Sequence, residues 1–240
     1  CSGMIGCIAA MPSELKAITD RMSEKHEDHI GKMVFVRGKL EGLDTVAVLS
    51  GVGKVAAAMA ATLLCYKYDL KALIHIGVAG GLKQDQNVMD LVISDEIIQA
   101  DFDTSPIDGD DGVGKMYYTN SKLSQAAIKA ADQMHLPWCI GAVTTQDVFM
   151  SRKEDYEKLL ANFPDAACAE MEGGATAQVA FDFDVPFIVF RTLSDVVHHD
   201  GNQMEFTEFE KKSSDLAGKF LACYFRELRD HYNLEDLKAD

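Results

Sequence analysis

Basic side chains are scarce in this sequence: 23 Lys and Arg stand against 38 Asp and Glu, a formal charge of −15. Duplex nucleic acid needs clustered cations for its phosphates, so it is excluded as a partner. An anionic membrane surface held by a basic patch is excluded for the same reason. Glycine and proline are also sparse, 18 and 5 in 240 residues, which rules out collagen-like and low-complexity chains. The six cysteines form no CxxC and lie close to no histidine, offering neither a zinc site nor a redox motif. Most, as in LLCY and PWCI, read as small buried hydrophobes. No apolar run reaches the roughly 18 residues of a transmembrane helix.

What is present is a chain with 48% hydrophobic residues, enough for one sizeable core. Short β-branched runs alternate with longer helical patterns. The runs are Met4–Ala9, Met33–Val36, Thr45–Leu49, Ala72–Ile76, Leu91–Ser94, Ile140–Thr144 and Pro186–Leu193. Val34–Val36 and Val46–Val48 read as an antiparallel hairpin, and ALIHIG and VPFIVFRTL as central strands covered on both faces. Helices are expected from Pro12 to about Met22 and over Gly53–Tyr66, Ser121–Met134, Ser151–Leu160, Met171–Phe181 and Phe206–Leu228. The acidic, Gly-rich stretch Asp101–Gly114 reads as a long surface loop. The pattern predicts a single α/β domain over residues 1–240, a central mixed twisted sheet flanked by helices. Residues 1–3 are set apart as an extension and 229–240 as a tail.

The start is unusual, with Cys1-Ser2-Gly3 ahead of Met4. As a remnant before Met4 it would leave a cytoplasmic protein. As the mature start of a bacterial lipoprotein, with lipid on Cys1, it would place the chain in the periplasm or at the surface.

Polar groups cluster at the expected strand ends, where open α/β sheets bind ligands. Glu14 follows the first strand in a helix's first turn, where a carboxylate also suits the positive helix end. Ser50–Lys54 is a Gly turn without the P-loop pattern. Gly77–Gly81 is a second Gly turn, where a ligand can approach the backbone. Glu170, Met171 and Glu172 end one run; Arg191, Ser194 and Asp195 end another. His75 reads as a core histidine, and His198 and His199 as loop residues rather than metal ligands. Three acids at the ends of one sheet suggest a site: Asp195 as general acid, Glu14 as base or water-orienting group, Glu172 as acceptor for a sugar hydroxyl. No metal is called for.

IGCIAAMPSEL, SGVGKVAAAMAATLL, IGVAGGL, AEMEGGATA, VPFIVFRTLSD and EFTEF occur in an order and spacing that resemble the 5′-methylthioadenosine/S-adenosylhomocysteine nucleosidases, of the nucleoside phosphorylase/hydrolase superfamily, from about Met4 to Leu228. The resemblance implies a hydrolase of the N-glycosidic bond that releases adenine and a thioribose for methionine salvage, without cofactor and with water as second substrate. It implies that Asp195 protonates N7 of adenine, that Glu14 with Arg191 holds the attacking water, and that Glu172 with Met171 contacts the ribose hydroxyls. Phe149 would pack on adenine beside Met150, with Val52 and Ser194 in the base pocket. Met11, Val78, Ala79, Gly80 and Glu170 would line the site. Phe206 would reach a neighbouring subunit's alkylthio pocket, within a homodimer. Phosphorylases of the superfamily carry Arg and Ser or Thr where this chain has His75 and Val78, which favours hydrolysis. The nucleosidases usually carry Ser at the Val78 position, and the Asp101–Gly114 stretch lacks their aromatic segment. Two alternatives follow: a hydrolase of futalosine or another purine nucleoside, and a nucleoside-binding protein without catalysis.

Overall fold

The computed structural model describes residues 3–239. In chain order its elements are β1 (Met4–Ala9), α1 (Pro12–Thr19), β2 (Ser23–Ile30), β3 (Met33–Leu40), β4 (Leu43–Leu49) and α2 (Lys54–Lys67). Then come β5 (Leu70–Gly81), β6 (Leu91–Asp103), α3 (Ser105–Asp108), a 3-10 turn at Gly109–Gly112, β7 (Val113–Tyr118) and α4 (Ser121–Gln133). The chain ends with β8 (Trp138–Thr145), α5 (Lys153–Asn162), β9 (Ala166–Glu170), α6 (Gly173–Asp182), β10 (Phe187–Val196), α7 (Asn202–His231) and a second 3-10 turn at Leu234–Ala239.

All ten strands join one mixed sheet, so the predicted single α/β domain is what forms. β5 pairs β1 and β10 in parallel, and β3 pairs β4 antiparallel as the expected hairpin. The sheet also closes on itself. β10 pairs β6, β6 pairs β8, β8 pairs β9, and β9 returns to β5 through Gly80 and Gly81. This five-stranded ring carries β1, β4, β3 and β2 as an open wing. Helices cover both sides. Phe190 on β10 packs edge-on against Phe220 and Tyr224 of α7, 5.1 and 4.7 Å between ring centroids. On the other side Ala60, Ala61 and Leu64 of α2 join Ala177 and Ala180 of α6 over Ile8, Leu73 and Val189. The small alanines let these helices sit close to the strands. Among the described residues no helix is long and apolar enough to cross a membrane.

Several expectations need correction. Asp101–Gly114 is not one loop: β6 runs to Asp103 and β7 begins at Val113, paired antiparallel with it. The acidic, Gly-rich composition belongs only to the short helical tip between them. β2 has no apolar period because it is an edge strand with mostly exposed side chains, and β9 (AACAE) is too short and Ala-rich to signal itself. Residues 229–239 carry structure. α7 continues to His231, and Leu237 is fully buried. Of the cysteines, Cys7, Cys168 and Cys223 are buried, while Cys65 and Cys139 are half-buried; all five are free. Cys1 and Ser2, on which the lipoprotein alternative turns, lie outside the described residues.

Candidate active site

The carboxyl ends of β1, β5, β8, β9 and β10 meet around a cavity of about 680 Å³. The position follows the rule for α/β sheets. Every candidate residue named from the sequence lines it: Met11, Glu14, Val52, Val78, Ala79, Gly80, Phe149, Met150, Glu170, Met171, Glu172, Arg191, Ser194, Asp195 and Phe206. Ala10, Val148 and Ala169 complete the lining.

Glu14 sits in the first turn of α1, after Pro12, which the first turn tolerates for want of a hydrogen-bond partner. Its Oε1 accepts from the Ala10 and Met11 backbone N–H groups at 3.0 and 2.8 Å, so it does cap the helix. Its Oε2 reaches across to the Val78 N–H on β5, at 2.8 Å. Burial raises the Glu14 pKa, while Arg191 and the three N–H donors pull it down. The capping role and the site role are therefore carried by one carboxylate.

Arg191 is 1% exposed in the middle of β10. Its Nη1 donates to the Val78 carbonyl at 3.1 Å and its Nη2 donates to Glu170, with Glu172 Oε1 at 3.6 Å. Burial works against the cation, yet Glu170, Glu172 and Glu14 together raise its pKa. Glu170 is itself held by Thr145 and by the Gly173 N–H at 2.7 Å. Its Oε1 is thus taken by Thr145 and its Oε2 by Arg191 and the start of α6, so that it anchors the guanidinium. Glu172 accepts from the Gly53 N–H at 3.0 Å, a contact made by the tight strand-to-helix turn in which Gly53 has φ +105°. Burial raises the Glu172 pKa to about 7, with Arg191 opposing and Glu170 adding to the rise.

Asp195 owes its position to an irregularity. β10 runs in register with β5 up to Leu193 opposite Ala79, then resumes with Asp195 opposite Gly80. Ser194 is the extra residue, a bulge that lets two successive side chains face the cavity rather than alternate. Ser194 Oγ lies 3.0 Å from Asp195 Oδ1, and Asn202 Nδ2 donates to Oδ2 at 2.9 Å. Burial raises the Asp195 pKa; those two bonds lower it, and Glu205 raises it. A carboxyl that keeps its proton to higher pH in a desolvated pocket is suited to donating it.

The opposite wall is aromatic and apolar. Phe149 and Phe206 meet edge-on, 5.4 Å between centroids, beside Val52 and the buried Met150. Phe206 lines the cavity of its own chain. The α7 helix begins early enough, at Asn202, to bring Phe206 back over the pocket. His75 is a core residue as expected: fully buried, 2.9 Å from Thr176 Oγ1 through Nδ1, its pKa lowered by burial and by Arg191. His198 lies 2.7 Å from the Leu82 carbonyl and His199 against Glu205, in a turn after β10. Sequence reasoning missed Asn202, whose importance is created only by folding.

The family model of the phosphorylase superfamily matches residues 4–226. The 5′-methylthioadenosine/S-adenosylhomocysteine nucleosidase of Shewanella pealeana is 37% identical over 93% of this chain and 99% of its own length. The chain belongs to that nucleosidase family. Among solved structures, the Neisseria meningitidis nucleosidase in complex with methylthio-immucillin-A superposes with a TM-score of 0.90 at 27% identity, over 95% of this chain and all of its own. The futalosine hydrolase of Helicobacter pylori superposes at 0.88 with 28% identity, over 94% and 98%. Within this nucleosidase, four carboxylates line the cavity and Arg191 is the one guanidinium among them. Since Arg191 is already engaged by Glu170 and Glu172, a phosphate dianion would meet a predominantly negative wall. Val78 serves the site through its backbone, donating to Glu14 and accepting from Arg191, so both bonds are independent of its side chain.

Proposed function

We propose that this nucleosidase hydrolyses the N-glycosidic bond of 5′-methylthioadenosine and S-adenosylhomocysteine, releasing adenine and the corresponding thioribose. The observation that carries this is the buried Asp195 carboxyl on β10, its pKa raised by burial, which stands opposite Gly80, two residues along β5 from the Val78 that bonds Glu14. That spacing is about 6–7 Å along a strand. It leaves room for a ribosyl carbon between an acid on the base side and a water on the other.

Asp195 gives its proton to N7 of the adenine. The C1′–N9 bond breaks, and its electron pair leaves with the neutral base. Water held by Glu14 adds to C1′ and passes its proton to that carboxylate. Arg191 fixes Glu170 and Glu172 and, with them, the electrostatics around the oxocarbenium-like ribose. Glu172 and Met171 meet the ribose hydroxyls. Phe149 packs on adenine, with Met150, Val52 and Ser194 around the base, and Met11, Ala79 and Gly80 close the site. Phe206 faces the 5′-thioether. Water is favoured over phosphate by the negative lining. The exposed apolar residues Val55 and Met59, one helical turn apart on α2, support pairing with a second copy of the chain, testable by sedimentation.

The test is adenine release from methylthioadenosine in phosphate-free buffer, with Asp195→Asn as control. Removing the general acid is expected to slow release by about 10²- to 10⁴-fold while leaving the melting curve cooperative. Strict dependence on phosphate, or an unimpaired Asp195→Asn enzyme, overturns the proposal. The likeness to the futalosine hydrolase supports a second reading, with futalosine as substrate; the same assay run with futalosine ranks the two by kcat/KM.

A further inference from the structure

Asn202 lies outside every sequence motif, yet it stands at the junction of three parts of the site. It opens α7 directly after Gly201, whose backbone is left-handed at φ 72°, and is 2% exposed. Its Nδ2 carries two hydrogens and both are used: 2.8 Å to the Met150 carbonyl and 2.9 Å to Asp195 Oδ2. A backbone carbonyl only accepts, so the Met150 bond fixes which end of the amide faces this corner. The second N–H then has Asp195 Oδ2 before it. A carboxyl oxygen bearing hydrogen is a poor acceptor, so this donor favours the unprotonated form of Oδ2. The other oxygen, Oδ1, faces the Ser194 hydroxyl, which can rotate toward the Ala79 carbonyl at 3.5 Å and accept in turn.

We infer that Asn202 is a positioning residue that directs the acidic proton of Asp195 onto Oδ1 and ties this carboxyl to the segment bearing Phe149 and Met150. The inference rests on the proposed function, in which that proton goes to the base. Its second half has independent support. Phe206 is one helical turn beyond Asn202, on the same face of α7, and touches Phe149. The first turn of α7 therefore grips the Phe149–Met150 segment at two points, one polar and one aromatic. A base seated against Phe149 meets an acid whose orientation is set by the same contact.

The charged groups around this corner are few. Glu205 on α7 is nearest, accepting from the Val196 N–H at 3.2 Å and held by His199 at 2.9 Å. Arg191, Glu14, Glu170 and Glu172 share the cavity, from β10, α1, β9 and the start of α6. Of the two bonds that stabilise the charged carboxylate, Asn202 supplies one and Ser194 the other. Loss of the Asn202 bond therefore moves the Asp195 titration upward.

The experiment compares wild type, N202A and the isosteric N202D by pH profile and by carbon-13 NMR of the Asp195 carboxyl, assigned through D195N. Expected are a fall in kcat of about 10- to 100-fold, the worth of one hydrogen bond to a charged group, and a basic limb of kcat/KM displaced to higher pH. The carboxyl resonance should titrate higher in both variants, and further in N202D, where a second acid replaces the donor. A purely structural asparagine would lower kcat and leave the limb and the resonance where they are. An unmoved titration in both variants overturns the inference. If wild type releases no adenine, or D195N is fully active, the proposed function falls. The carbon-13 titration still reads the Asn202–Asp195 bond in that case, so the two failures are distinguishable.

Discussion

Gly77 offers a sharp test of how tightly the water-side groups are held. It lies in β5 opposite Arg191 of β10, and its backbone dihedrals are ordinary for a strand. The reason for glycine there is space. A Cβ at this position would stand 2.2 Å from Glu14 Oε2 and 2.5 Å from Arg191 Nη1. Ordinary contact begins near 3.4 Å, so each group would have to retreat by roughly 1 Å. Neither is free to do so: Glu14 accepts three backbone N–H groups, and Arg191 is held by Val78, Glu170 and Glu172. A 1 Å misplacement near reacting atoms costs about 10²-fold in rate, and overpacking costs about 1–3 kcal/mol of stability. Gly77→Ala is therefore expected to lose about two orders of magnitude in adenine release. For a chain of this size it should also melt several degrees lower. Initial rates from methylthioadenosine and a calorimetric melt measure both. Activity within about threefold of wild type, with an unchanged melt, would refute the claim that these two groups are locked.

Two further outcomes concern the buried charges. Glu172 has a folded-state pKa raised to about 7 by burial, so the folded state is favoured below pH ~4.5 and that advantage fades as pH rises through 7. Glu172→Gln removes the dependence: it should melt higher than wild type at pH 8, with the gap closing at pH 4, and an equal gap at both values contradicts the burial argument. Arg191→Met strips the cation from Glu14, Glu170 and Glu172 and should destabilise by about 3–5 kcal/mol, read by urea denaturation. Arg191→Lys should not rescue it, because an ammonium cannot hold Val78 and Glu170 at once in the same plane.

Of the strands around the site, β1, β5, β8 and β10 were legible because buried strands are continuous apolar runs, and polar clusters follow β1, β5 and β10. β2, β7 and β9 were not, for three different reasons. SEKHEDHI is an edge strand whose side chains mostly face solvent, VGKMYY adjoins an acidic turn, and AACAE has too little bulk to signal a core. The residues whose types announce chemistry, Glu14, Glu172, Arg191 and Asp195, were found from the sequence. Their supports were harder. Glu170 was named as a lining residue, but that its carboxylate would sit under Arg191 depends on strand β9, which the pattern did not show. Asn202 left no trace at all, since its partners lie 7 and 52 positions away and its type is common at helix starts. Phe206 was named as well, and it lines the cavity from the first turns of α7, a helix that begins four residues before the predicted one.

Glu14 is bound at three separate places: Ala10 just after β1, Met11 at the start of α1, and Val78 within the central strand β5. A descendant that kept the ligand but abandoned the reaction could not simply discard this acid. It would leave the N–H groups of Ala10, Met11 and Val78 without their acceptor. The quickest evolutionary route to a silent nucleoside receptor runs instead through Asp195, whose hydrogen-bond partners, Ser194 and Asn202, are side chains rather than backbone. In this scaffold the water-side machinery is also part of the frame, and divergence should begin at the opposite end of the pocket.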